Sequence, residues 1–368
     1  MASVVTAPVL TDGVVTLRGH RPGDVDDLVT MGRDPAATRW TTMPAPYERR
    51  HAEEWITRLA PAGWRDATMY GWAVEADGRY AGNVDVRLET PPDIGFVLAP
   101  LARGRGLASR AVRLATRWAF DTGVPVVHWA AHAGNLASWR VAHACGFTFH
   151  GMRPLATPGR GGLVDAWEAS LRPDDPGEPR TTWWDTPVIE GERVRLRPAR
   201  EDDVPRIVEV NADPRRRHWI AGIPDPYTVE HAREFVARGP LEASLGHRVA
   251  WTVADRADDR LLGHVSIFRL DTSWQPTNGE IGYWAHQDAR GRGVTTEAVR
   301  LVVQHAFTPV ADGGMGRTRL QIGASWGNSA SRHVAERNGF TLVGHHHADG
   351  VLGDGTVDDG AWYELVRS

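Results

Sequence analysis

The chain has 368 residues and a mass of 40.5 kDa, enough for two domains that each bury a core. All 42 positive side chains are arginine; lysine is absent, which excludes a Walker P-loop, a pyridoxal Schiff base and a protein kinase, each of which needs one. Against 46 acidic residues the net charge is −4 with no run of five like charges, so neither nucleic acid nor a membrane surface is an expected partner. A single cysteine, Cys145, excludes an intrachain disulfide and a cysteine-built zinc site. Residues 1–10 carry no positive charge and no 18-residue apolar run occurs, which points to a cytoplasmic protein.

In chain order, residues 14–18 read as a strand, a helix begins near Asp24, and a second helical stretch covers 51–59. Strands are expected at 72–75, 82–88 and 94–98. The turn Arg103-Gly104-Arg105-Gly106 then opens a helix over 108–120, whose apolar residues at 111, 112, 114, 115, 118 and 119 recur at helical spacing. A strand at 126–131, a short helix after Asn135 and a last strand around Trp167 follow. Residues 172–187 hold four prolines and four acidic residues without apolar periodicity, so they form a linker between a domain of residues 1–171 and one of residues 188–368.

Beyond the linker the same order returns. A strand at 194–197, a helix from near Asp203, a helical stretch at 231–238 and strands at 250–254, 263–270 and 281–285 lead to Arg290-Gly291-Arg292-Gly293. A helix with apolar residues at 298, 299, 302, 303 and 306, a strand at 319–323 and a last strand around Trp362 complete the second copy. Individual residues recur too: Leu17-Arg18 as Leu196-Arg197, Asp34-Pro35 as Asp213-Pro214, Trp72 as Trp251, Asn135 and Ser138 as Asn328 and Ser331, and Gly146-Phe147 as Gly339-Phe340. The pattern predicts one α/β fold used twice.

The glycine turn lies between a strand and a helix, where backbone N–H groups and the positive end of the helix dipole converge on an anion. Glycine at 104 and 106, and at 291 and 293, permits positive φ and close approach of a phosphate. A Rossmann turn is excluded, because the sixth place of its GxGxxG holds Ser109 and Thr296.

Strand, Arg-x-x-Gly-x-Ala, helix, strand, Asn135-x-x-Ser138 and a helix ending in Gly146-Phe147 resemble the GNAT acyl-CoA N-acyltransferase superfamily. The openings Val15-Thr16-Leu17-Arg18 and Val194-Arg195-Leu196-Arg197 are similar to its RimJ and RimL branch, whose best-known members acetylate protein amino termini. The resemblance implies two α+β modules, each a mixed, mostly antiparallel splayed sheet flanked by helices. It implies acetyl-CoA as cosubstrate and no metal. The pyrophosphate would lie on Arg103, Gly104, Arg105, Gly106, Leu107 and Ala108, or on Arg290, Gly291, Arg292, Gly293, Val294 and Thr295. The pantetheine arm would lie along Phe96, Val97 and Leu98, or Tyr283, Trp284 and Ala285, with Asn135 or Asn328 bonded to it. Thr295 stands where the pattern has Gly or Ala; it either crowds the pyrophosphate or binds it through its hydroxyl. Gly279-Glu280-Ile281-Gly282-Tyr283-Trp284 matches the branch more closely than Asp93-Ile94-Gly95-Phe96 does.

Transfer from a thioester to an amine needs a group to accept the proton of an ammonium whose pKa is about 10, and one to protonate the departing thiolate. Asp93 and Glu280 are the candidate bases, with Glu168 and Glu364 as second choices. Ser138 and Ser331 are the candidate acids, although Asn followed by Ser three residues on also describes a helix N-cap. Only one module, or one at a time, is expected to turn over, with the first slightly favoured. Cys145 is expected to be a buried small residue, His345-His346-His347 a solvated loop, and the unmatched Trp64, Trp129, Trp139, Trp274 and Trp326 packing residues or cleft lining. The expected function is acyl transfer, most simply acetyl transfer, to a primary amine of a small molecule or peptide by direct attack in a ternary complex, in a monomer or homodimer. A protein N-terminal acetyltransferase and a catalytically idle acyl-CoA sensor or scaffold are the alternatives.

Overall fold

The computed structural model describes residues 6–272 and 274–367, and the chain divides into two compact units, Met1–Arg180 and Thr181–Ser368. Each unit holds one eight-stranded sheet. In the first the strands run, from edge to edge, Leu10–Thr11, Thr16–Arg18, Met69–Ala76, Arg79–Arg87, Asp93–Leu98, Val127–His132, Gly162–Leu171 and Thr148–Gly159. The second repeats this order with Ile189–Glu190, Val194–Arg197, Arg248–Asp255, Leu261–Phe268, Asn278–Ala285, Arg319–Ser325, Val357–Val366 and Thr341–Val351. All neighbours are antiparallel except one pair per sheet, as expected for the mixed, mostly antiparallel fold.

That parallel pair positions the site. Asp93 is the only residue of its strand in register with the parallel neighbour, opposite His128. In the second unit Asn278, Gly279 and Glu280 face Arg319, Leu320 and Gln321, and pairing stops there. Beyond Asp93 and Glu280 the strands therefore part in a V, leaving one edge of residues 94–98 and 281–285 without ladder partners among the described residues.

Helices cover the sheets because their apolar stripes match the strand faces. Leu107–Asp121 buries Leu107, Ala108, Ala111, Val112, Ala115, Thr116 and Ala119, the spacing of one helical face. Its counterpart Val294–Phe307 buries Val294, Ala298, Val299, Leu301, Val302 and Ala306 against Trp251, Val265, Ile267 and Leu320. The repeated Leu-Arg pairs are structural: Leu17 and Leu196 are fully buried, and Arg18 and Arg197 form buried two-pronged ion pairs with Asp24 and Asp203 at 2.8–2.9 Å.

Three local expectations change. The stretch predicted as a helix over 51–59 starts at Arg49 and runs on to Asp66 through a wider π turn at Trp55–Leu59. Thr148–Gly159 and Thr341–Val351 are strands that the apolar pattern did not announce, because both are edge strands without a buried side chain. His345, His346 and His347 thus lie on a strand rather than in a loop. Trp64, Trp129 and Trp139 are core, whereas Trp274 is exposed.

Candidate active site

The glycine turns adopt the geometry their sequence requires. Gly104 and Gly106 have φ of +74° and +72°, and Gly291 and Gly293 of +71° and +75°. At Gly104, Gly106 and Gly291 an added Cβ would meet nothing within 4 Å, so backbone conformation rather than space demands glycine there. Gly106 and Gly293 are the N-caps of their helices and offer no side chain, so the first helical N–H groups remain available to an anion. Leu107 and Val294 anchor the helix starts in the core. Ala108 is buried and Thr295 half-buried in the first turn.

Arg103 is held by Asp34 at 2.7 Å and by the Leu98 carbonyl at 3.1 Å, and Arg290 is paired with Asp213. Asp34 and Asp213 also cap the helices Pro35–Trp40 and Pro214–Trp219 through the N–H groups of Ala37 and Arg215. The recurring Asp-Pro and the first arginine of the turn are thus one device that fixes the loop. Arg105 and Arg292 are more exposed, facing Asp77 at 2.6 Å and Asp255 at 3.7 Å.

At the apex of each V sits the candidate base, and the two differ. Arg87, opposite Asp93 in the ladder, donates two hydrogen bonds to its carboxylate, both 2.7 Å. Two register steps on, Asp85 faces Gly95 3.8 Å from Arg87, and burial pushes its carboxyl up to about 6. In the second unit Ser266 and Phe268 occupy the places of Asp85 and Arg87. Glu280 there is mostly buried, with Arg269 at 3.2 Å and no well-oriented hydrogen bond to its buried Oε2; desolvation raises its pKa, against the pull of Arg269. It borders a cavity of about 410 Å³ walled by Trp274, Trp362, Asn278, Gln275, Arg319 and His346. The second-choice carboxylates are occupied: Glu168 by Arg153 at 2.6 Å and Glu364 by Arg319 at 2.7 Å.

Asn135 and Asn328 accept from the N–H groups of Ser138 and Ser331 at 3.2 and 3.1 Å, which is the capping arrangement. The serine hydroxyls diverge. Ser138 Oγ accepts from Trp129 Nε1 at 3.1 Å, on its own arm of the V. Ser331 Oγ lies 3.0 Å from the hydroxyl of Tyr283 on the opposite arm, and that hydroxyl also donates to the Ser331 carbonyl at 2.9 Å. Burial pushes the Tyr283 phenol up to about 12, so it stays protonated. Phe96 holds the equivalent register in the first unit and has no hydroxyl to offer. Val97 and Leu98 pair with Asn83 and Gly82. Trp284 points to the far side of the sheet, between His264 and Arg216, and Ala285 pairs with Gly263, so both contribute backbone to the V. Cys145 is fully buried with its thiol raised to about 12, an inert packing residue.

Asp85, Arg87, Arg269 and the Tyr283–Ser331 pair were not legible as partners. Each partnership depends on strand register, or on two arms brought together, rather than on a local motif.

A split mixed sheet with a glycine turn and helix start beside the split sets an open strand edge next to a helix N-terminus suited to an anion. The Acetyltransferase (GNAT) domain model matches residues 15–148 and again 193–341, so the chain belongs to the GNAT family and carries its acetyltransferase domain twice. Over 178 residues, 48% of this chain, it is 26% identical to "Probable N-acetyltransferase YjcK" of Bacillus subtilis, covering 92% of that protein. Over 113 residues, 30% of this chain, it is 31% identical to the ribosomal-protein-serine acetyltransferase of Escherichia coli, covering 58% of that protein. The structure of Mycobacterium smegmatis RimJ in complex with CoA-disulfide aligns with 49% of the chain and 88% of its own length, at 20% identity and a TM-score of 0.44.

Proposed function

We propose that this GNAT acetyltransferase moves an acetyl group from acetyl-CoA to a primary amine of a small molecule or peptide, and that the second unit is the one that turns over. Its domains are residues 1–171 and 188–368, joined by 172–187. One observation carries the choice of unit: Glu280 is a buried carboxylate of raised pKa at the apex of the V, beside a cavity, whereas Asp93 is spent on Arg87.

The helix N-terminus at Gly293 would receive the pyrophosphate and the unpaired edge of residues 281–285 the amide-bearing arm. When bound, acetyl-CoA supplies an activated acyl carbon on a thiolate leaving group. Glu280 accepts the proton that the attacking amine loses as the C–N bond forms. The Tyr283–Ser331 hydroxyl pair supplies a proton to the sulfur as the C–S bond breaks, and solvent returns it. Trp274 and Trp362 beside a carboxylate suit a cationic amine, through ring faces and charge. The similarity to the ribosomal-protein-serine acetyltransferase supports a protein as a second acceptor class.

Thiol release from acetyl-CoA, measured with a panel of polyamines, amino sugars and peptides with free amino termini, tests the reading. Glu280→Gln is expected to lower kcat/KM by about 10²–10⁴-fold and Asp93→Asn by far less. In the wild type kcat/KM falls as pH drops through the raised pKa of Glu280, because only the carboxylate accepts a proton. Equal loss in the two variants would reject the choice of the second unit. Coenzyme binding without turnover on any amine would favour the idle sensor.

A further inference from the structure

The outer hairpin of the second unit carries a side-chain cluster that the acyl-transfer chemistry does not use. His345 and His347 lie two residues apart on the edge strand Thr341–Val351, and Asp359 on the neighbouring strand Val357–Val366. His345 Nε2 is 2.7 Å and His347 Nδ1 3.1 Å from the same carboxylate oxygen, Oδ2 of Asp359. One ligand atom from each residue lies within 4.8 Å of the other two.

Duplication supplies an internal comparison. In both units the edge strand breaks register at the same place, between Arg153 and Thr157 and between His346 and Gly350. A non-glycine residue of positive φ sits in each bulge, Leu155 at +46° and Ala348 at +52°. Its N–H donates to an aspartate of the facing strand at 2.9 Å in both cases, Asp165 Oδ1 and Asp359 Oδ1. The bulge and its aspartate therefore belong to the fold. In the first unit Met152 and Pro154 hold the places of the two histidines. The second unit adds two imidazoles to an aspartate that the bulge already orients by one oxygen, and both address the other. The Trp326 ring, stacked on His345 with centroids 3.9 Å apart, fixes one of those imidazoles.

We propose that His345, His347 and Asp359 bind a divalent transition-metal ion of the kind imidazole prefers, such as zinc, cobalt or nickel. Two nitrogens and one carboxylate oxygen form three ligands of a tetrahedral or more open site, with water completing it. Ligand bonds of about 2.0–2.2 Å place the donor atoms roughly 3.4 Å apart, a separation reached here by small side-chain rotations. Magnesium and calcium are disfavoured, since they take oxygen ligands. An ion so held would link the edge strand to its neighbour where the ladder is interrupted.

Titration of the tag-free full-length chain with Zn²⁺ by calorimetry, and with Co²⁺ by visible absorption, tests the site. One equivalent is expected to bind the wild type with the intense absorption of low-coordinate cobalt. His347→Ala and Asp359→Asn are each expected to weaken it at least about tenfold. His346→Ala, on the other face of the strand, is expected to leave affinity within about twofold. Circular dichroism of each variant checks that the fold is kept. If His346→Ala loses as much as His347→Ala, or Asp359→Asn loses nothing, the ion is chelated by the histidine run alone and the proposed site is wrong. Absence of binding to the wild type also overturns it.

Discussion

Asp85 shows how one residue's environment becomes a measurable property. Its carboxyl is buried beside Arg87, but that guanidinium is turned toward Asp93, so desolvation prevails and the folded pKa rises to about 6 from 3.8. Well below pH 3.8 the carboxyl is protonated in both folded and unfolded chains and costs nothing. Between pH 4 and 6 the unfolded chain gives up its proton while the folded chain keeps it, so stability falls as pH rises through this window. Asp85→Asn removes the ionisable group. It is expected to stabilise the first unit by about 1–3 kcal/mol at pH 8 and to change it little at pH 4. Calorimetric melting of the two proteins at both pH values checks the sign, and equal stabilisation at both would contradict it. The pairing behind this effect was hidden from the sequence, where Asp85, Arg87 and Asp93 are three charges scattered around a turn. Only the ladder, which puts Arg87 opposite Asp93, reveals which carboxylate takes both guanidinium hydrogen bonds and which is left 3.8 Å away without one.

At the scale of elements the glycine turns were the most legible part of the site. Backbone conformation dictates residue type there, and the duplicated pattern exposed it twice. Gly293 has φ of +75°, which a Cβ makes costly even though the nearest neighbour of that Cβ would be the mobile end of Arg193 at 3.5 Å. Gly293→Ala is therefore expected to cost the second unit about 1 kcal/mol. It is also expected to weaken coenzyme A binding several-fold by tilting the first N–H groups of the helix. Melting temperature and calorimetric affinity, read together, separate the two effects: a stability loss with unchanged affinity would mean that the turn does not hold the anion. Elements without such a local demand were harder to read. The edge strands Thr148–Gly159 and Thr341–Val351 lack alternating burial, and their bulges interrupt the period on which strand recognition relies. The arms of the V were visible as two strands, but the Tyr283–Ser331 bond across them was not.

For the whole molecule the composition itself makes a prediction. A protein that neutralises amines beside a diffusible thioester exposes its own lysines to acylation, whereas arginine keeps its proton and reacts poorly. A GC-rich coding sequence would deplete lysine to the same degree but would give no positional effect, so position separates the two accounts. Arg269 stands 3.2 Å from Glu280 on the cavity wall, and Arg65 is a surface residue of the other unit paired with its neighbour Asp66. With Arg269→Lys, the new amine is placed beside the proposed base, and incubation with acetyl-CoA is expected to add one acetyl group, located at residue 269 by peptide mass analysis. Arg65→Lys should remain unmodified over the same period, and adding Glu280→Gln to Arg269→Lys should slow the modification in step with the loss of turnover. Because lysine at 269 keeps a positive charge near Glu280, the substitution alters reactivity more than electrostatics. Acylation at both positions at one rate would mark a spontaneous reaction with the thioester; acylation at neither would detach the missing lysines from the chemistry of the cleft.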